Sequence, residues 1–302
     1  MIEVFESLKA GQVNHNIPMS RFYDFIGISK QGFYKAKKRF DAYQLMVEQI
    51  KPMVLAYRRK KDARAGSRSL YYNLDIKNRF DIGVSKFEQI LSVNNITLPQ
   101  LKIRIVTTNS VKQSWNYTNL INGISITSIN KLIVGDLTYL MVLGKRYYLF
   151  CLTDVYSSRI VGHHVDKRMR TEEALCAYKM WIKLRGNNAV KGCIHHTDGG
   201  SQYFSTDYLS AMNDSKLQIS RAENCLENGY AEQRNGLIKN HLIPLIANRK
   251  VNITNELGRL ISIYNNERKQ EALGWLSPVE YENKCFKNMT SERKKMYNFN
   301  KV

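Results

Sequence analysis

No stretch of the chain approaches 18 consecutive apolar residues, and its first residues carry no uninterrupted apolar core behind a basic start. Neither a transmembrane helix nor a secretory signal is expected, and no membrane partner. The five cysteines (Cys151, Cys176, Cys193, Cys225, Cys285) form no CxxC pair and are odd in number. That excludes a disulfide framework and fits reduced thiols in a cytoplasmic protein. Paired histidines at 163–164 and 195–196 have no Cys pair near them, whereas a closed zinc site needs four well-spaced donors. No long heptad run offers a coiled coil. Acidic residues are scarce too, 26 Asp+Glu against 46 Lys+Arg, which leaves a net charge of +20.

What is present is a chain of 302 residues, 43% hydrophobic, long enough for two or three domains and apolar enough for a sizeable core. The positive charge is spread out. Residues 1–130 hold 20 Lys+Arg against 9 Asp+Glu, and residues 131–302 hold 26 against 17, so no single basic tail explains it. Such a field attracts polyanions, each neutralised phosphate releasing counterions. Nucleic acid is the expected partner.

The first 45 residues read as short helices. Ser20–Ile26 and Lys30–Phe40 are separated by Gly27-Ile28-Ser29, with Gly27 ending one helix and Ser29 capping the next. This is helix-turn-helix grammar, and Lys30, Lys35 and Lys37 on the second helix are candidate DNA contacts. A further helix is expected over 46–65 and an amphipathic one over 85–93. Residues 101–130 read as a basic linker or strap.

From Lys131 the pattern changes. Strands are expected over 131–141, 146–155, 159–165, 192–196 and 217–220, with helices over 171–184 (Thr171 as N-cap), 205–213, 226–242 and 254–266. The long helix should stop before Pro244. Three antiparallel strands followed by alternating helix and strand give a mixed α/β sheet with helices on its faces.

Three carboxylates sit in distinctive settings: Asp136 in Val134-Gly-Asp-Leu-Thr-Tyr139, Asp198 in His195-His-Thr-Asp-Gly-Gly200, and Glu232 in Gly229-Tyr-Ala-Glu232. Taken singly, an Asp at a strand end is a turn or cap residue and a Glu on a helix is solvated surface. Taken together, two strand aspartates and a helix glutamate can converge on divalent metal. Magnesium takes oxygen ligands with one or two protein carboxylates per ion. Two ions about 4 Å apart serve in-line phosphoryl transfer. Lys239 lies seven residues beyond Glu232, on the same helix face, where a cation can hold a phosphate.

The chain resembles the catalytic, second-frame (B-type) transposases of two-frame bacterial insertion sequences, within the retroviral-integrase-like DDE superfamily. Asp136-Leu-Thr-Tyr139 is similar to the family's segment around its first acid. Asp154, Ser157 and Ile160-Val-Gly162 match the segment that follows. His196-Thr-Asp198 with Gly200-Ser-Gln-Tyr203 resembles the surroundings of the second acid. Ser220-Arg221, Asn224-Cys225, Asn228 and Ala231-Glu232 resemble the approach to the third. Tyr264-Asn-Asn-Glu-Arg268, Leu273-Gly274, Pro278 and Glu280-Tyr281 resemble its tail.

The resemblance implies a ribonuclease-H-like mixed sheet with flanking helices, preceded by a small helical region. It implies Asp136, Asp198 and Glu232 as catalytic metal ligands for Mg²⁺ or Mn²⁺, two ions with DNA bound, and Lys239, Asn228 and Arg268 as DNA contacts. It implies a homo-oligomer on DNA and an upstream-frame fusion partner. The expected layout is a helical region 1–100, a strap 101–130, a catalytic core 131–285 and a basic tail 286–302. Ile133, Ser158, Gly199, Leu226-Glu227 and Lys269-Gln270 depart from the family pattern, while the three acids and Lys239 are retained. Asp154, after an apolar strand, is expected to be structural. A hydrolysing nuclease and a non-catalytic DNA-binding protein are the alternatives.

Overall fold

The computed structural model describes residues 19–99, 117–222, 228–287 and 297–298. By the packing of its backbone the chain forms two units, 1–55 and 56–302.

In the first unit, α1 (Met19–Ile26) ends at Gly27, whose φ of 66° is the left-handed conformation that stops a helix, and α2 (Lys30–Lys60) follows. The Ser29 hydroxyl accepts the Gly32 amide at 3.1 Å, an N-cap bond, and the Tyr23 and Phe33 rings meet edge to face at 5.8 Å. The two helices expected over 30–40 and 46–65 are one helix of 31 residues. Nothing between Asp41 and Leu45 is a helix breaker, so neither piece has a reason to stop. Pro52 lies inside it, on the exposed side.

The second unit opens with three short helices, α3 (Ser67–Asn73), α4 (Ile76–Phe80) and α5 (Val84–Val93). Its sheet has five strands, β1 (Leu132–Val142), β2 (Lys145–Asp154), β3 (Ile160–Asp166), β4 (Ile194–Thr197) and β5 (Gln218–Arg221), in the order β3-β2-β1-β4-β5. The first three are antiparallel, and β4 and β5 join parallel to β1. A ribonuclease-H-like mixed sheet is the result. A short ladder pairs Ser125–Ile126 with Tyr297–Asn298.

Helices cover both faces of the sheet. On one, α6 (Thr171–Arg185) and α7 (Thr206–Asp214) bury Ala177, Trp181, Tyr208 and Met212 against Ile133, Phe150 and Leu152. On the other, α8 (Gly229–Leu237), a π-helical turn (Ile238–Leu242) and α9 (Ile253–Glu267) bury Ile238, Leu242, Leu257 and Ile261 against Leu140 and Leu149. α10 (Pro278–Lys287) completes the unit. Pro244 does stop the long helix, after the π turn has loosened it. Thr171 is not the N-cap of α6: Arg170 is, its amide donating to the Glu173 carboxylate at 2.8 Å.

Gly162 fixes how α6 seats on β3. A Cβ there would stand 2.2 Å from the Ala177 carbonyl oxygen, which is backbone and cannot rotate away. Gly162→Ala should therefore cost about 3 kcal/mol by forcing the helix off the sheet. A urea-unfolding midpoint equal to wild type would show that the contact is slack.

Candidate active site

Parallel pairing of β1 with β4 runs from Leu132↔Ile194 to Gly135↔Thr197 and stops there. Asp136 and Asp198 are the next residue on each strand, where the two strands part. The two carboxylates thus stand on neighbouring strands, Asp198 just past the carboxyl end of β4 and Asp136 on β1 at the level where that pairing stops. Asp136 does not sit at a strand end. It lies instead mid-way along the central strand, paired with Cys151 on β2, and its side is open only because β4 is short. The residue before it is glycine because a Cβ on Gly135 would crowd Leu152, His195 and Thr197, all within 3.1 Å.

The third wall is α8. Asn235 donates to Asp136 Oδ2 at 2.7 Å, while the Leu137 amide donates to Oδ1 at 2.9 Å. Glu232 is one turn before Asn235, exposed, and its charge acts on Asp136. Burial first, then the Asp198 charge, push the Asp136 carboxyl up to about 7, against the Asn235 and Leu137 hydrogen bonds. Asp198 is also raised, by burial, and is drawn back by the Gly200 amide at 3.2 Å and the Arg221 guanidinium. Among the described residues the three acids do not close into a ready-made three-ligand cluster.

Tyr203 lies beneath the pair, 2% exposed, its hydroxyl without a hydrogen-bond partner among the described residues. Lys239 sits on the π-helical turn after α8, its Nζ 4.5 Å above the centre of the Tyr139 ring and within the field of Asp136. Burial lowers its pKa, and the Asp136 charge opposes that.

An integrase core domain model matches residues 127–224, a span that includes Asp136 and Asp198 and ends short of Glu232. An uncharacterised 31 kDa protein of insertion element IS600 from Shigella sonnei is 28% identical over 268 residues, 85% of this chain and 96% of that one. The transposase of insertion sequence element IS904 from Lactococcus lactis is 32% identical over 170 residues, 54% of this chain and 66% of that one. The chain thus contains a segment matching the integrase core domain and is similar, over that segment and beyond it, to transposases of bacterial insertion sequences. Among solved structures, the HTLV-2 integrase catalytic core in complex with magnesium is similar at 19% identity, with a TM-score of 0.43 over 54% of this chain and 99% of that one.

Other residues singled out in the sequence lie elsewhere. Asn228, expected to contact DNA, is 3% exposed, and its amide donates to the Gly135 carbonyl at 3.3 Å, so it braces β1 just before Asp136. Arg268, another expected contact, donates to the buried Asp62 carboxylate at 2.9 Å, away from the acids. Asp62 also binds His241 Nδ1 at 2.6 Å. Lys30 and Lys35 are exposed on α2 and Lys37 is half-buried. Asp154 is fully buried and accepts the amides of Asn130, Tyr156 and Ser157 within 3.1 Å, the structural role expected of it. His195 is held in the core by Tyr208 at 3.0 Å, and burial drops its pKa to about 4. Leu226 and Glu227, with Asn224 and Cys225, lie outside the described residues.

Two contributors had weaker signals. Asn235 is marked only by its three-residue spacing from Glu232. Arg221 is marked by its place one residue past Ser220. Its guanidinium stands 3.1 Å from where a Cβ on Gly199 would be, so the glycine at that departure from the family pattern leaves room for this cation beside Asp198. Among the described residues no helix is long and apolar enough to cross a membrane.

Proposed function

We propose that the chain cleaves the ends of a mobile DNA element and joins the exposed 3′-hydroxyl to another phosphodiester, with Asp136, Asp198 and Glu232 holding Mg²⁺ or Mn²⁺, two ions when DNA is bound. The observation that carries this reading is the pair of partly buried carboxylates, Asp136 raised to about 7 by burial and by its neighbour, with the Glu232 charge also acting on Asp136. An all-oxygen, mutually repelling donor set fits hard divalent cations. Bound there, the cations supply Lewis acidity to the phosphate and to the entering and leaving oxygens.

The chain's own residues do the positioning. Asn235 fixes one oxygen of Asp136 and leaves the carboxylate's remaining lone pairs turned to the site. Asn228 steadies β1 from behind. Lys239, kept in place over Tyr139, grips a phosphate beside the reacting one. No Ser, Tyr or Cys attacks the DNA, so the 3′-hydroxyl is the nucleophile of joining. The working form is a homo-oligomer on DNA, with an upstream-frame partner for end recognition.

The test is an end-joining assay on labelled element-end duplexes in Mg²⁺, with complex size read by light scattering. Joined products support a transposase; nicked products alone would replace it with a nuclease. Asn235→Ala should slow joining about 10–100-fold, the usual loss when a group orienting a metal ligand is removed, while DNA affinity holds. Wild-type joining by that variant would count against the positioning role.

A further inference from the structure

α8 and the π-helical turn that continues it have two working faces. Glu232, Asn235 and Lys239 are spaced 3 and 4 apart, and so are Tyr230, Gln233 and Leu237; at 100° per residue the two sets lie on opposite sides. The second set borders a groove of about 770 Å³, walled also by the start of α3 and by residues 268–275. That size suits a ligand of one or two nucleotides rather than a single ion.

Three features of the groove point to an anion with rings. Its lining carries Arg68, Arg234, Arg268 and Lys269; Arg268 is taken up by Asp62 and Arg68 lies 3.8 and 3.9 Å from Glu88 and Glu271, so Arg234 and Lys269 are the cations there with no ion pair to an acid among the described residues. Arg234 is 5% exposed and has no carboxylate partner among the described residues; its guanidinium bonds to the Tyr264 and Tyr230 hydroxyls, and its Nε has no partner there. A buried arginine without a counter-charge is costly unless an anion reaches it. Trp275 closes one end, stacked on Tyr72 with ring centres 3.8 Å apart and planes 16° off parallel. Its φ of 62° is rare for a bulky residue, and the conformation keeps the indole against the groove. Stacked rings beside cations are how proteins hold unpaired bases without reading their sequence.

We infer that this groove binds a single-stranded stretch of DNA, bases on Trp275 and phosphates on Arg68, Lys269 and Arg234. One helix diameter, about 10 Å, separates it from Glu232. The strand within reach is the one freed when an element end frays beside the cleavage site. This rests on DNA being the substrate and gives a role to the Leu273-Gly274 turn, which the metal site leaves unused.

The full chain in EDTA is titrated, by fluorescence anisotropy, with a labelled duplex carrying a short unpaired arm and with the same duplex blunt. Wild type should prefer the forked form. Trp275→Ala should weaken the forked complex about tenfold and leave the blunt one unchanged, with Trp275→Phe keeping most of the preference. Arg68→Glu with Lys269→Glu should act in the same direction and serves if Trp275→Ala melts early. An intact fork preference in the charge-reversed and Trp275→Ala proteins overturns the proposal, and so does equal weakening of both DNAs. Joining activity is read separately. A chain that keeps the fork preference but joins nothing would defeat the transposase reading and leave the groove standing.

Discussion

Asp136→Asn should abolish Mg²⁺-dependent joining, by about a thousandfold or more, yet melt higher than wild type when metal is withheld. Loss follows because an amide neither carries the charge that holds a cation nor helps neutralise the phosphate in transition, and single electrostatic contributors of this kind are worth about 10²–10³ each. Gain follows from the same charge. The Asp136 carboxyl stands at about 7 in the fold against an ordinary 3.8, so the folded chain binds a proton that the unfolded chain releases. Stability from that group is full below pH 4 and is lost as pH rises through 7. Three pK units set a ceiling of about 4 kcal/mol, reduced by the partial exposure of the carboxylate. Wild type in EDTA should therefore lose melting temperature between pH 5 and pH 8 more steeply than the variant. Mg²⁺ should restore it at pH 8, where the carboxylate is already ionised, and much less at pH 5, where the metal must first displace a proton from the same site. Thermal shift at the two pH values, with and without Mg²⁺, decides it. Identical pH dependence in the two proteins would mean that Asp136 is not strained by its neighbours, and the metal site would lose its main support.

The sheet was legible because each strand carries β-branched and aromatic residues between turn signals, and burial on both faces requires that. The two aspartates were legible by their motifs, and the register that joins them follows once β1 and β4 are parallel. What stayed hidden depends on tertiary partners. The continuity of α2 depends on the lack of a breaker between residues 41 and 45, an absence that local reading filled with a loop. Asn228 and Arg268 are polar residues in matching motifs, so they read as DNA contacts. Only the fold reveals that one braces the Gly135 carbonyl and the other pairs with Asp62 from 206 residues away. Asn235 needed the turn of α8 to be aimed at β1. Glu282, beside the Glu280-Tyr281 motif, gave no signal at all, since its partners lie on two other segments, the turn after β2 and the end of α6.

Glu282→Ala should be the most destabilising single truncation in the second unit, costing about 3–5 kcal/mol. The carboxylate is 1% exposed on α10 and accepts from Ser157 Oγ at 2.7 Å, from Arg159 Nη1 at 2.5 Å and from Arg185 Nη1 at 2.9 Å. Arg185 is itself 6% exposed and reaches toward Asp154 at 3.8 Å. Burial works against all of these charges, and they tolerate it because two acids face two guanidinium groups. Take Glu282 away and Asp154 is the one acid left to two arginines, a buried imbalance of the kind that costs several kcal/mol. Some of the loss is recovered: Glu282 holds the Asp154 carboxyl up, so without it Asp154 ionises more readily and answers Arg185 better. Glu282→Gln, which keeps the shape and an acceptor, should cost clearly less than Glu282→Ala. The damage should reach the active site by a traceable route. Asp154 is the cross-strand partner of Ile133, three residues before Asp136 on the same strand, and its carboxylate ties down the turn that follows β2. A urea-unfolding cycle with Glu282→Ala, Arg185→Ala and the double variant separates the pair from its surroundings. A coupling energy near zero would show that α10 is held by its apolar contacts alone, whereas a coupling of several kcal/mol would make this cluster the bolt that keeps β1, and with it Asp136, in register.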